Sequence, residues 1–308
     1  MTIAFISHPA CEAHDLGPVH PESPQRLRAI NDHLLATGLD LALRHYDAPQ
    51  VSRGQLQRVH AASYIDEVFA KAPDDGTVWL DPDTGMMAAS LPAALHAAGA
   101  AVLATELVLD EKADQAFCSV RPPGHHAERD RAMGFCVFNN LAVGAAHALT
   151  EYGVQRLAIV DFDVHHGNGT EQIFRDDARV MMCSTFRHPF YPFSGADTHS
   201  ERFINVPLAA GSKGEDFRAA VMQQWLPALR AFKPQILYIS AGFDAHLADD
   251  MGGLSLLESD YYWVTAELKQ LMLELNGSAR MISVLEGGYE TGALARSVAA
   301  HLKGMLDG

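Results

Sequence analysis

Cysteine is scarce and scattered. Cys11, Cys118, Cys136 and Cys183 form no CxxC pair, which argues against a disulfide framework and a cysteine-built zinc site. Positive charge is also short: 23 Lys and Arg against 38 Asp and Glu leave a formal net charge of −15. Without a Lys/Arg cluster the chain lacks the electrostatic footprint of a nucleic-acid binder. No apolar stretch is expected to reach the ~20 residues of a membrane span. Residues 1–5 lack the basic and apolar regions of a signal peptide and read as a first strand. These absences lead to the expectation of a cytoplasmic protein with neither membrane nor nucleic acid as partner. No repeat, low-complexity tract or Gly/Ser linker interrupts the chain, so residues 1–308 read as one catalytic domain, long enough to need no staples.

Short apolar runs alternate with longer helical patterns. Strands are expected at 3–7, 116–120, 157–163, 180–184, 236–240 and 281–285. Helices are expected at 24–37, 90–109, 141–152, 215–232, 258–275 and 291–306. Unbroken apolar strands are buried on both faces, as in a parallel sheet. Their alternation with helices specifies an α/β layered fold. The polar signatures follow the strands, where open α/β sheets bind ligands.

Histidine is abundant, with 16 in the chain, and its placement is informative. In Asp161-Phe162-Asp163-Val164-His165-His166-Gly167-Asn168-Gly169, strand alternation would point Asp161, Asp163 and His165 the same way. Two carboxylates and an imidazole on one face suit a divalent metal such as Zn²⁺. Ser240-Ala241-Gly242-Phe243-Asp244 offers a third ligand, and three protein ligands leave a position for water or substrate. Arg121-Pro122-Pro123-Gly124-His125-His126 carries adjacent imidazoles. At least one of them should be neutral near pH 7, as general acid–base work requires. Leu285-Glu286-Gly287-Gly288-Tyr289 places a phenol where it can donate to a developing oxyanion.

Together with His20-Pro21-Glu22-Ser23-Pro24-Gln25-Arg26 and Gly134-Phe135-Cys136, these motifs resemble the zinc-dependent histone deacetylase superfamily, which includes acetylpolyamine amidohydrolases. The resemblance runs nearly end to end. It implies an arginase-like, three-layer α/β fold with a central, mostly parallel sheet and helices on both faces. It implies one Zn²⁺ held by Asp163, His165 and Asp244. It also implies a structural K⁺ at Asp161 and Ser184, with help from Asp163 and His165. It makes His125 and His126 the catalytic tandem, pairs Asp161 with His126, and assigns Tyr289 to the substrate carbonyl. Phe135 and Tyr191 look like walls of an acyl-lysine channel, with Gly134, Gly287 and Gly288 alongside.

Asn168 stands where one branch has an Asp that would partner His125, and the Asn is similar to the class II branch. Met251 stands where a polyamine-selective member has a gatekeeping Glu, which counts against polyamines. The implied reaction removes an acetyl or other acyl group from a lysine peptide or small amine. The alternatives are an acetylpolyamine amidohydrolase, a two-manganese ureohydrolase drawing on Asp249 and Asp250, and a non-catalytic acyl-lysine reader.

Overall fold

The computed structural model describes residues 2–198 and 200–307. Eight strands form one sheet: β1 Ile3–Ser7, β2 Leu43–Asp47, β3 Gln115–Cys118, β4 Leu157–Asp161, β5 Val180–Arg187, β6 Phe203–Leu208, β7 Ile236–Ala241 and β8 Met281–Leu285. Their spatial order is β2-β1-β3-β8-β7-β4-β5-β6. Each neighbouring pair is parallel. In the four central strands, β3, β8, β7 and β4, every residue is buried, so they read in sequence as continuous apolar runs.

The edges differ from expectation. β2 (Leu-Arg-His-Tyr-Asp) is largely solvated, whereas β6 (Phe-Ile-Asn-Val-Pro-Leu) is partly buried and interrupted by Asn205 and Pro207, so neither reads as an unbroken apolar strand. Polar residues and Pro are what a strand with one unpaired edge tolerates.

The helix Ser90–Leu109 corrects another expectation. It has 20 residues and a mean hydropathy of 1.5, enough by length and composition to cross a membrane. Most of it is buried within the fold. Thr105 on this helix bonds the Tyr238 hydroxyl of β7 at 2.7 Å, which identifies it as a core helix of the layer that also holds Asn140–Glu151. A second group packs Glu258–Asn276, Thr291–Leu306 and Gln25–Thr37 together. His301 ties that group to the sheet, bonding Ser283 of β8 at 2.8 Å and Thr265 at 2.6 Å. The fold is therefore the expected α/β layering about a parallel sheet.

The segment expected to be helical over 215–232 is helical but not uniform. Gly214–Ala220 passes through a π-helical stretch, Val221–Trp225, into Leu226–Phe232. The carboxyl ends of the four central strands lie side by side, and the loops leaving them carry residues 121–126, 161–168, 242–244 and 286–289.

Candidate metal centre and acyl channel

The Asp-x-Asp-x-His run does not stay on a strand. β4 ends at Asp161. Beyond it, Asp161 Oδ1 accepts the Asp163 N–H at 3.1 Å, and Asp163 Oδ1 accepts the His165 N–H at 2.9 Å. This turn separates the side chains: Asp161 points away to His125, while Asp163 and His165 converge on Asp244. One ligand atom from each of these three lies within 4.8 Å of the others. His165 Nδ1 is 2.9 Å from Asp163 Oδ1 and 3.2 Å from Asp244 Oδ2.

The carboxylates are gripped from behind. The Val164 N–H donates to Asp244 Oδ1 at 2.9 Å, and the Gly287 N–H donates to Asp163 Oδ2 at 2.8 Å. Gly287 must be glycine here, because a Cβ would fall 2.0 Å from Asp244 Oδ2.

Burial and the neighbouring Asp163 carboxylate push Asp244 up to about 6. Burial works against the Asp163 carboxylate too, but the His125 and His165 imidazoles overcome it and hold its pKa far below the usual range. Burial opposes the charged form of His165 as well, yet Asp163 and Asp244 raise it to about 9. Apart from the 3.2 Å contact with His165 Nδ1, the buried Asp244 Oδ2 has no hydrogen-bond partner among the described residues. Buried carboxylate oxygens without partners are costly, and a divalent cation removes that cost.

The tandem histidines pair opposite to expectation. His125 Nδ1 meets Asp161 Oδ2 at 3.0 Å, and His126 Nδ1 meets Asn168 Oδ1 at 2.8 Å. Asp161, the last residue of β4, therefore lies under His125, and Asn168 lies under His126. Their charge states follow. Burial opposes the His125 imidazolium, but Asp163 and Asp161 outweigh it and raise His125 to about 10. His126 has no carboxylate partner; burial, His125 and His165 push it well below the ordinary imidazole value. His126, which faces the amide, is therefore the more readily neutral of the two.

A cavity of about 210 Å³ opens over the centre. Its lining includes His126, His165, Phe135, Phe190, Tyr191 and Tyr289. Phe135 sits across from Tyr289 with ring centroids 6.0 Å apart, and Tyr191 meets His126 at 5.2 Å. Phe135 holds a left-handed backbone, φ 67°, a conformation that costs a non-glycine residue ~1–3 kcal/mol. The chain holds it there: Thr84 Oγ1 accepts the Phe135 N–H at 3.1 Å, and Asp83 accepts the Gly134 N–H at 3.0 Å. Gly134 presses on His126, where a Cβ would come within 2.3 Å of the ring.

Met251 stands at the cavity rim, 37% exposed. Gly287 and Gly288, expected beside the channel, do not line it. Gly287 lies beneath the carboxylates, and Gly288 faces Leu294 and Phe243. Ser184 adjoins Asp161 in the β4–β5 register, and its buried Oγ has no hydrogen-bond partner among the described residues.

Some contributors were not visible in sequence. Phe190 stacks on His165 at 5.3 Å. Glu286 Oε2 accepts the Gly124 and His125 N–H groups at 2.6 and 3.0 Å, anchoring the tandem loop. Asp249, weighed above as an extra metal ligand, caps backbone instead, accepting the N–H groups of Tyr289 at 2.6 Å and Glu290 at 3.0 Å. Asp250 is exposed.

The chain is similar to known proteins. The histone deacetylase domain matches residues 20–305. A histone deacetylase-like amidohydrolase of Pseudomonas aeruginosa is 37% identical over 88% of this chain and 72% of its own length. The mouse polyamine deacetylase HDAC10 is 36% identical over 92% of this chain, which spans 45% of that longer protein. The crystal structure of the HDA15 HD domain superposes with a TM-score of 0.93 at 33% identity, covering 99% of this chain and 88% of the other. The chain belongs to the histone deacetylase family, and its reaction is the hydrolysis of acetyl amides.

Proposed function

We propose that the protein hydrolyses an acetyl or short acyl amide on a lysine side chain, releasing acetate or the corresponding carboxylate and the free amine, with one Zn²⁺ held by Asp163, His165 and Asp244. One observation carries this reading: three convergent ligand atoms lie at the foot of an aromatic channel that His126 and Tyr289 also face. Two carboxylates and one imidazole suit zinc, and three protein ligands leave room for water and substrate. When bound, the metal supplies Lewis acidity to the acyl carbonyl and lowers the pKa of a water. A K⁺ fits beside Asp161, where the partnerless Ser184 Oγ and the backbone of Asp163 and His165 would hold it.

The chain supplies the rest. Phe135, Tyr191 and Phe190 flank the amine arm and exclude water. His126, hydrogen-bonded through Nδ1 to Asn168, presents Nε2 to the channel, takes the proton of the attacking water and returns it to the leaving amine. Burial keeps the Tyr289 phenol protonated far above neutrality, so it can donate to the developing oxyanion. His125 stays bonded to Asp161 and supplies positive potential beside it.

At the rim, the Met251 thioether cannot pair with a second ammonium, which favours acyl-lysine over acetylpolyamines. The four buried, unpaired cysteines support a cytoplasmic setting.

The test is metal analysis combined with turnover of acetyl-lysine peptides and acetylpolyamines. One zinc per chain and faster peptide hydrolysis are expected. Two manganese ions per chain with release of urea, or binding of acyl amides without turnover, would replace this reading with one of its rivals.

A further inference from the structure

Asn168 poses a problem that a carboxylate would not. Both ends of a carboxylate accept hydrogen bonds, so an Asp facing His126 would always meet an N–H there. An amide has one accepting and one donating end. If it turned, its NH₂ would face His126 Nδ1, and the ring proton would move to Nε2. That nitrogen could then no longer act as a base.

The surroundings of Asn168 settle which end faces the ring. Its Nδ2 donates to Glu128 Oε1 at 2.7 Å and lies 3.2 Å from Met133 Sδ. An ionised carboxylate and a thioether only accept, so the NH₂ end is fixed on that side. Glu128 is itself held firmly. Arg131 pairs with its Oε1 at 3.0 Å, and Gln172 Nε2 donates to its Oε2 at 3.1 Å. Gln172 cannot turn without losing the Arg129 N–H, which its Oε1 accepts at 2.8 Å. The Glu128 carbonyl accepts from His60 Nδ1 at 2.9 Å, fixing the backbone as well.

We propose that Glu128 is a positioning residue for the deacetylation reaction: through Asn168 it holds His126 in the Nδ1–H tautomer, leaving the Nε2 lone pair free to face the channel. This rests on the reading of His126 as the base. Glu128 touches neither His126 nor the channel and acts only through the amide. A residue that merely fastened the 128–131 turn would leave the tautomer of His126 unchanged when removed.

The test uses zinc-loaded protein with ¹⁵N/¹³C-labelled histidine, the His126 signals being assigned by difference from His126→Gln. The ring shifts distinguish the two neutral tautomers. Wild type should show Nδ1–H at His126. Glu128→Ala should show a mixture, with kcat lower by ~10–100-fold, the usual scale for a lost outer partner, and KM little changed. Adding Asn168→Asp to Glu128→Ala should restore both the Nδ1–H signature and most of kcat, taken at the top of the pH profile, because a carboxylate has no donating end. Glu128→Gln keeps the side-chain volume and covers the case in which Glu128→Ala folds poorly; it should give a partial tautomer mixture. The proposal is overturned by an Nε2–H signature in wild type, by an unmixed Nδ1–H signature in both Glu128 variants, or by failure of Asn168→Asp to restore the tautomer. The tautomer is read without turnover, so a wild type that shows Nδ1–H but hydrolyses no acyl amide would sink the proposed function and leave the positioning role standing.

Discussion

Two clusters of buried charge border the same loops and differ in what neutralises them. Glu22, Arg26 and Arg121 are wholly buried. Arg26 meets Glu22 Oε1 at 2.9 Å, and Arg121 meets Glu22 Oε2 at 2.6 Å. Burial alone would raise Glu22, but the two guanidiniums overcome it and hold the carboxyl at about 2. Asp163, His165 and Asp244 are nearly as deeply buried, yet their shared partner is a histidine that must lose its proton to become a ligand. The first cluster is neutralised by the chain, the second by what it binds. Burial does not separate a structural cluster from a reactive one, whereas the counter-ions do: Arg26 and Arg121 cannot give up their protons, and His165 can. Arg26 of the first cluster also braces the loop beside the second, donating to the Gly288 carbonyl at 2.6 Å with its guanidinium 5.1 Å from the Tyr289 ring.

Substitutions should drive the clusters apart. Asp244→Asn is expected to have the largest effect, with turnover at background and zinc lost by metal analysis. Its metal-free melting temperature should match or exceed that of metal-free wild type, because a carboxylate repelled by Asp163 is gone. Glu22→Ala should do the reverse. Two guanidiniums lose their partner, and stability falls by ~3–5 kcal/mol with or without metal, as denaturant melts would show. Equal stability losses in the two metal-free variants would erase the distinction. Tyr289→Phe keeps the ring beside Arg26 and removes only the hydroxyl. It should lower kcat by ~10²–10³-fold while zinc content and melting temperature hold; an unchanged kcat would remove Tyr289 from the chemistry.

The sequence makes one cluster far more legible than the other. Asp161, Asp163, His165, Asp244 and Tyr289 follow strands whose apolar runs are unmistakable, and the site assembles where those strands end. Glu22 and Arg121 are 99 positions apart, and neither carries a local pattern that foretells the contact. The exchange of partners between the tandem histidines was hidden for a different reason. That pairing rests on the family resemblance, and no local pattern says which imidazole Asp161 reaches; strand alternation concerns only Asp163 and His165, which the turn after Asp161 redirects. Glu128 is not legible in the sequence, because a polar Ala-Glu-Arg-Asp stretch gives no sign that its carboxylate reaches back to Asn168. The edge strands are illegible for two reasons: solvation removes the apolar pattern from β2, while Asn205 and Pro207 interrupt the run of β6.

The smallest effect is also the most specific: the pH dependence of the metal's stabilising influence. Without metal, His165 is raised from 6.5 to about 9, so the folded chain holds a proton that the unfolded chain has released. That contribution to stability is fully present below pH 6.5 and is lost as pH rises through about 9. Asp244, raised from 3.8 to about 6, has already lost its own contribution over that lower range. Metal binding requires His165 deprotonated, so affinity climbs over the same interval in which the metal-free fold weakens. The gap in melting temperature between zinc-loaded and metal-free protein should therefore widen steadily from pH 6.5 towards 9. Glu22 adds nothing there. Its depressed carboxyl contributes stability above its ordinary 4.5 and loses it only as pH falls towards about 2. Asp244→Asn, which binds no zinc, should show no gap at any pH, whereas Glu22→Ala should melt lower throughout and keep the widening gap. A wild-type gap that stays constant across this interval would mean that the buried triad does not exchange a proton for a metal.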